Sequence, residues 1–540
     1  MAWFNNTTND TVAYLQRKLA SLRGDSANSI ETLQLPTAKI LFTAVAAFFI
    51  HRVAIVIYRL YFHPLSSFPG PKLAAATSLY QLYYEVFAPE TTPWPEYQRS
   101  VLHSKYGPTV RVRPDALHIA DPEAYRKIHR SGAKFTKAKY FYKSFSTEYS
   151  LFGTMDLEFH RKRRNIISPL FAKNEIVANH EVVAKEKAAL MNGRISDMVK
   201  SEGGKARVHM KPVIAACVLD ISTDVIFKGS YDTLKAQDIM ESHIVSTSMD
   251  VIAEAAIMNR HIGWIVPIML SIPDRLMDWI FPPGRGQRVM RASVRENVNK
   301  IIKDKETGKF DATKNRSITA QMLEYLDPDT VVEEGFTMLG AAIHTTAWSI
   351  LRHIYHLAAN PLVQQKVYQE LKEAYPDKNS SMSNNKLETL PYFVAVMKEG
   401  NRLAHAIPGS IPREPPTDEE TELCGRYIPH GTILESDNYH IHMHETLFPN
   451  PEAFDPERWL QGEKSAKLDK YLIPFNMGNM MCVGYTLAQL NMNMIIAALV
   501  REFEIGLTPE MEKEGFLFAI PWIAVKRGAK SEFICRERVE

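Results

Sequence analysis

Residues 475–484 read FNMGNMMCVG, from Phe475 to Gly484, and a helical run to about Arg501 follows them. Gly478 and Gly484 bracket Cys482 in what reads as a tight loop opening into a helix N-terminus. The unpaired N–H groups and positive potential at such an end lower a thiol's pKa and favour thiolate. A thiolate so placed is a good axial ligand for a haem iron. A lone cysteine in another setting is a small buried hydrophobe, and this segment alone leaves both readings open.

Upstream, helical periodicity without an internal proline runs from Thr330 to Asn360, and Pro361 marks the stop. A helix of that length spans roughly 45 Å, enough to cross a whole domain. Its middle holds Gly340, Ala341, Ala342, His344, Thr345 and Thr346. Small residues let a bulky planar group approach the backbone, and a helical threonine can turn its hydroxyl from backbone to ligand. Ordinary helix packing needs the same residues. Between helix and cysteine loop, Glu399 and Arg402 share a helix face at i, i+3, a spacing usually met as a surface ion pair. FDPERW, Phe454 to Trp459, then brings Arg458. Each signal is weak alone, and their order along the chain carries the weight.

The chain has 540 residues, 45% hydrophobic and 23% charged, which excludes wholesale disorder. Its 64 basic and 61 acidic residues leave a net charge of +3, too balanced for a nucleic-acid binder that relies on a basic surface. The four cysteines (Cys217, Cys424, Cys482, Cys535) stand far apart with no C-x-x-C pair. That reads against a disulfide framework and a cysteine-rich zinc site.

The N-terminal 1–39 segment carries Val12, Leu15, Leu19 and Leu22 at helical spacing, and Asn5, Asn6 and Asn9 each begin an N-x-T glycosylation triplet. Residues 40–61 (ILFTAVAAFFIHRVAIVIYRLY) match the ~20 apolar residues of a single transmembrane anchor. His51 and Arg52 interrupt the run, as in a helix that snorkels or lies partly in the interface. The apolar run starts late and no small-residue cleavage site is evident, against a cleaved signal peptide. Pro64, Pro69 and Pro71 make residues 62–72 a stiff connector to a body spanning 73–540.

Taken in order, these elements resemble the cytochrome P-450 family of haem-thiolate monooxygenases, over nearly the whole chain from His63. The likeness is closest to the fungal microsomal branch associated with secondary metabolism. It implies a mainly α fold with small β-sheets (α+β). It implies haem b as cofactor, with Cys482 as the proximal iron ligand in a loop whose motif is matched at Phe475, Gly478 and Gly484. Glu399, Arg402 and Arg458 match a buried structural triad. His160, Arg164 and Arg413 match contacts to the haem propionates. The basic run HRKRR (His160 to Arg164) otherwise reads as a solvated face, and in the family that face also receives the reductase.

Two departures stand out. Met480 replaces an arginine that the family places in the cysteine loop, removing one propionate contact. In the long helix Thr345 occupies the oxygen-activating position, while His344 replaces the acid that relays protons. Histidine can donate and accept near neutral pH, so a relay remains chemically open. By the same analogy Phe141, Phe145, Phe152, Ala342, Ile407, Ile411, Phe516 and Phe518 line an apolar substrate pocket, and residues 249–281 form its membrane-dipping mouth.

The expectation is therefore an endoplasmic-reticulum enzyme, single-pass with a cytosolic catalytic domain. It takes electrons from an NADPH–cytochrome P-450 reductase and, with O2, oxidises a lipophilic terpenoid or polyketide intermediate. Desaturation or rearrangement without oxygen insertion, and a non-catalytic haem carrier or sensor, are the rival readings.

Overall fold

The computed structural model describes residues 39–87, 93–145, 147–236, 284–313, 315–377, 380–516 and 531–539, with short pieces at 260–261, 271–273, 276, 279, 518–519 and 525–526. Asn5, Asn6 and Asn9, the periodic Val12–Leu22 stretch and most of 249–281 lie outside the described residues.

The first helix, α1 (Lys39–Tyr61, 23 residues), is long and apolar enough to cross a bilayer. Ile40, Leu41, Phe42, Phe48, Phe49 and Ile50 stand exposed along it, with no body packed over them. The chain then runs without helix from Phe62 to Pro71. Its return to the body is pinned at both ends. Arg59 donates to the Ala76 carbonyl (2.8 Å), and Arg111 donates to the carbonyls of Arg59 (2.9 Å) and Pro69 (2.7 Å). A Cβ at Gly70 would stand 2.4 Å from the Arg111 carbonyl oxygen, so this approach requires glycine.

The body is mainly helical, with small sheets at its flanks. Its principal helices are α2 (Leu157–Ile167), α3 (Lys173–Ser201), α4 (Met210–Phe227), α5 (Gly284–Glu306), α6 (Pro328–Ala359), α7 (Pro391–Ala404), α8 (Asn438–His442) and α9 (Tyr485–Glu502). The long helix α6 is the hub, packed against α4, α5, α7 and α9. It starts at Pro328 because Asp327 caps it, accepting from the Thr330 N–H at 3.0 Å, and proline suits the first helical position. α4 is apolar on nearly every side and is buried on nearly every side, as such a helix must be. Gly335 lets three helices meet: a Cβ there would come within 3.2–3.3 Å of Val294 on α5 and Phe227 on α4.

The largest sheet has five strands. They are β1 (Thr109–Arg113), β2 (Ala116–Ile119), β3 (Thr136–Lys137), β4 (Arg413–Glu414) and β5 (Ile433–Glu435), in the order β1-β2-β5-β4-β3. β2 and β5 are parallel and the remaining pairs antiparallel, which joins segments more than three hundred residues apart. A second sheet pairs Glu532–Glu537 with both Ala206–His209 and Phe503–Leu507.

At the crossing of α6 and α7, a Cβ on Gly400 would lie 2.1 Å from the His353 ring. That ring is held between the carbonyls of Ser349 (2.7 Å) and Met397 (3.3 Å), so it has little room to give. Overpacking costs roughly 1–3 kcal/mol and outweighs the ~1 kcal/mol that alanine gains in helix propensity. Gly400→Ala is expected to lower the chemical-denaturation midpoint of the purified chain, and an unchanged midpoint would show that the crossing can relax.

Candidate active site

The cysteine loop folds back on itself. Cys482 donates its N–H to the Phe475 carbonyl at 2.9 Å, and Asn476 and Gly478 take positive φ (63° and 69°) to close the turn. Tyr125 donates to Asn476 Oδ1 (3.0 Å) and steadies that strained residue. Gly478 is required on two counts. Besides its φ, a Cβ there would lie 2.0 Å from the His129 carbonyl oxygen, because the loop rests directly on that backbone. Gly484 caps α9, and Phe475 packs between the main core and the Tyr485 ring.

Cys482 is uncovered, yet protein crowds it closely enough that burial pushes the thiol up. A sulfur lining an interior cleft has both properties. The Gly484 N–H and the Arg164 guanidinium pull the other way, toward thiolate. Arg164 also donates to the Met481 carbonyl at 2.7 Å, so α2 and the cysteine loop are tied together.

His160 and Arg164 lie one turn apart on α2, and the structure brings both near Arg413 of β4 and Lys137 of β3. Burial, then Lys137, Arg164 and Arg413, push His160 down to about 3. Burial and Arg413 push Lys137 far below the ordinary lysine range. Its Nζ donates to the carbonyls of Leu151 (2.9 Å) and Phe152 (2.6 Å), and Arg413 donates to the Tyr142 hydroxyl at 2.6 Å. Lys137 was not anticipated from sequence, because a lysine amid KFTKAKYFYK reads as surface. The basic run on α2 divides in two. Arg161 and Lys162 face solvent, whereas Arg163 turns inward to Glu334 of α6 at 2.8 Å. Burial, opposed by Arg163, raises the Glu334 carboxyl to about 7.

Burial and the guanidinium groups of Arg164 and Arg413 push His160 and Lys137 toward their neutral forms, and an anion placed among the four would draw protons back onto them. A thiolate donor, a cationic set and a glycine cradle fit haem, whose iron is soft enough for thiolate and whose propionates are anionic. Met480 lies in the short turn Gly478–Met480 and adds no cation. Lys137 supplies one from another part of the chain.

On α6, Thr345 Oγ1 donates to the Ala341 carbonyl (2.7 Å) and Ser349 Oγ to the Thr345 carbonyl (2.8 Å), the back-bonding of helical hydroxyls. Ala341 is exposed although core surrounds this helix, and Ala342 is half-buried. His344 stands ~100° round the helix from Thr345. It stacks on Trp348 and lines a cavity of about 20 Å³ with Lys211, Ala215, Ile343, Ala347 and Leu351, on the side of α4. The histidine and the threonine therefore serve different faces.

Of the expected pocket residues, Phe141, Phe145, Phe152, Ile407 and Ile411 gather into one apolar cluster with Tyr142 and Met155. Ring centroids are 5.3 Å apart for Phe141–Phe145 and 5.2 Å for Phe145–Phe152. Tyr142 joins this cluster to the cations, with Lys137 over its ring at 5.1 Å. Phe516 is placed elsewhere. It is core, 5.4 Å from Trp348 and 5.1 Å from Tyr355, because the C-terminal segment packs against the far part of α6. Phe518 pairs its backbone with Lys526, and its side chain lies outside the described residues.

Glu399, Arg402 and Arg458 come together in direct contact and are buried. Arg402 donates to both Glu399 oxygens (2.8 and 3.0 Å), and Arg458 Nε, Trp459 Nε1 and the Asp455 N–H add bonds of 3.0, 2.9 and 3.0 Å. Glu399→Gln strands two buried guanidinium groups, and removing one partner of such a group costs about 3–5 kcal/mol. The variant is expected to accumulate little soluble or haem-loaded protein, read by fluorescence-detected chromatography and haem absorbance beside the parent chain.

The family model for Cytochrome P450 matches residues 90–525. Among curated relatives, Cytochrome P450 monooxygenase tpcC of Cochliobolus heterostrophus is 31% identical, over 88% of this chain and 90% of that protein. Conidiogenone synthase PchP450 of Penicillium rubens is 30% identical, over 85% and 91%. Cytochrome P450 monooxygenase astB of Aspergillus terreus is 31% identical, over 84% and 88%. With the family matched across most of the body and the relatives aligned nearly end to end, the chain belongs to the cytochrome P450 family and is a P450 monooxygenase of the fungal secondary-metabolism type.

Proposed function

We propose that the enzyme holds haem b through Cys482 and inserts oxygen into a lipophilic terpenoid or polyketide intermediate, with electrons from NADPH through a flavoprotein reductase. The observation that carries this reading is the uncovered Cys482 sulfur, pulled toward thiolate by the Gly484 N–H and the Arg164 guanidinium, with Arg413, His160 and Lys137 gathered nearby. His160, Arg164, Arg413 and Lys137 would hold the propionates. Bound there, the haem would supply the activation of O2, with two electrons from the reductase and two protons, so that one atom would enter the substrate and the other leave as water. The apolar cluster of Phe141, Phe145 and Phe152 supports an apolar substrate that is oriented by shape more than by hydrogen bonds.

Proton supply divides between two faces of α6. The Thr345 hydroxyl, now on the Ala341 carbonyl, is free to rotate to a ligand. His344 serves the cavity it shares with Lys211, a space large enough for one water. That water-sized space supports a relay entering from α4. The exposed Arg161 and Lys162 support docking of an acidic reductase on α2, and α1 supports anchorage in a membrane, which the family likeness assigns to the endoplasmic reticulum with the body on the cytosolic side.

Two outcomes test this reading. Cys482→Ser is expected to lose the long-wavelength carbon-monoxide band of the reduced enzyme in membranes. A band that survives would remove Cys482 as the ligand. With a substrate in hand, Thr345→Ala is expected to lower product per NADPH by roughly tenfold or more, the difference appearing as peroxide. Oxygen-18 gas that fails to label the product would turn the assignment to desaturation or rearrangement, the rival that the His344 departure motivates.

A further inference from the structure

Away from this site three histidines meet. His103 ends the helical turn Gln98–His103, His118 lies on β2 and His440 on α8, and one nitrogen of each ring lies within 4.8 Å of the others. Hydrogen-bond bookkeeping fixes where their protons are. The Gly107 carbonyl can only accept, so His103 Nδ1, at 2.8 Å, carries a proton. Asp437 takes the backbone N–H of His440 and the Ser410 hydroxyl as well as two ring nitrogens, the surroundings of a group that accepts. Its partners, His118 Nε2 at 2.9 Å and His440 Nδ1 at 2.8 Å, are therefore both protonated.

That leaves three lone pairs. His103 Nε2 and His118 Nδ1 face each other at 2.7 Å, and His440 Nε2, in a side chain only 4% exposed, has no hydrogen-bond partner. Two lone pairs at that distance repel unless a cation lies between them. A bridging proton would serve that pair, with His118 as an imidazolium on the Asp437 carboxylate, but it leaves the His440 lone pair unmet. A metal ion meets all three lone pairs at once, because neutral imidazole is its ordinary ligand.

We propose that His103, His118 and His440 bind a divalent cation of the zinc class, with Asp437 and the Gly107 carbonyl orienting the rings. Every ring donates its other N–H to an oxygen, the outer shell that metal-binding histidines keep. The 2.7 Å gap has to open to roughly 3.3 Å for two nitrogens about 2.0–2.1 Å from a tetrahedral ion, and water takes the fourth position. The ion would clasp the 98–119 region to 437–442, holding the N-terminal sheet to the C-terminal half, and its role is structural.

The test is elemental analysis of the full-length, haem-loaded enzyme in detergent after equilibration with Zn2+ and removal of the excess. About one zinc per chain beyond the haem iron is expected. His440→Gln is expected to lower bound zinc at least tenfold, and Asp437→Asn to weaken Zn2+ affinity by roughly 10–100-fold. The carbon-monoxide spectrum serves as the control for folding. If the variants do not accumulate, the parent enzyme still decides. Chelation should lower its melting temperature, Zn2+ but not Mg2+ should restore it, and the zinc absorption edge should show imidazole scattering. No zinc in the parent, zinc unchanged in His440→Gln, or an edge without imidazole overturns the proposal.

Discussion

The Glu399 carboxylate is fully excluded from water, and five donors converge on its two oxygens. A buried charge survives only when its lone pairs are met, so this one acid ties α7 to the 455–459 segment. Arg402 extends the network to the carbonyls of His442 (2.9 Å), Pro451 (2.6 Å) and Ala453 (3.1 Å). Those contacts fix α7 against α8 and the 449–459 segment. His442 in turn accepts from the Ile473 N–H (3.0 Å), two residues before the cysteine loop begins. The position of Cys482 is thus inherited from an ion network that takes no part in chemistry.

The active site has the opposite electrostatic character. Around Glu399 each charge meets partners inside the chain, whereas His160, Lys137, Arg164 and Arg413 are brought together with Glu334 as an acid near them, and burial pushes His160 and Lys137 toward their neutral forms. An anionic cofactor held there would relieve that burden, so that its binding and local stability would be linked. The histidine cluster repeats the pattern on a smaller scale, with lone pairs in place of cations. In both places an unmet electrostatic need says more about a missing partner than the shape of a cavity does.

Much of this was legible in the linear chain because the relevant signals are local. The loop from Phe475 to Gly484, the proline-bounded α6 and the apolar α1 are runs whose meaning lies in spacing alone. The pairing of Glu399 with Arg402 is local too, but its burial is not. At i, i+3 a surface pair and a buried one look alike, and only the arrival of Arg458 and Trp459 separates them. Phe516 shows the converse. As one apolar residue near the C-terminus it could belong to pocket or core, and packing against Trp348 put it in the core. Lys137 hid in a lysine-rich run, and the three histidines hid because 319 residues separate His118 from Asp437.

The linear chain by itself determined the family, the apolar first helix, the hub helix and the loop that carries Cys482. Each of these rests on residue type at fixed spacing within one segment. Tertiary structure alone decided which way His344 points, which half of the α2 basic run meets solvent, and which distant cations and histidines share a buried space. Those outcomes depend on desolvation and on pairing across the sheet and between helices, and such energies exist only once the segments have come together.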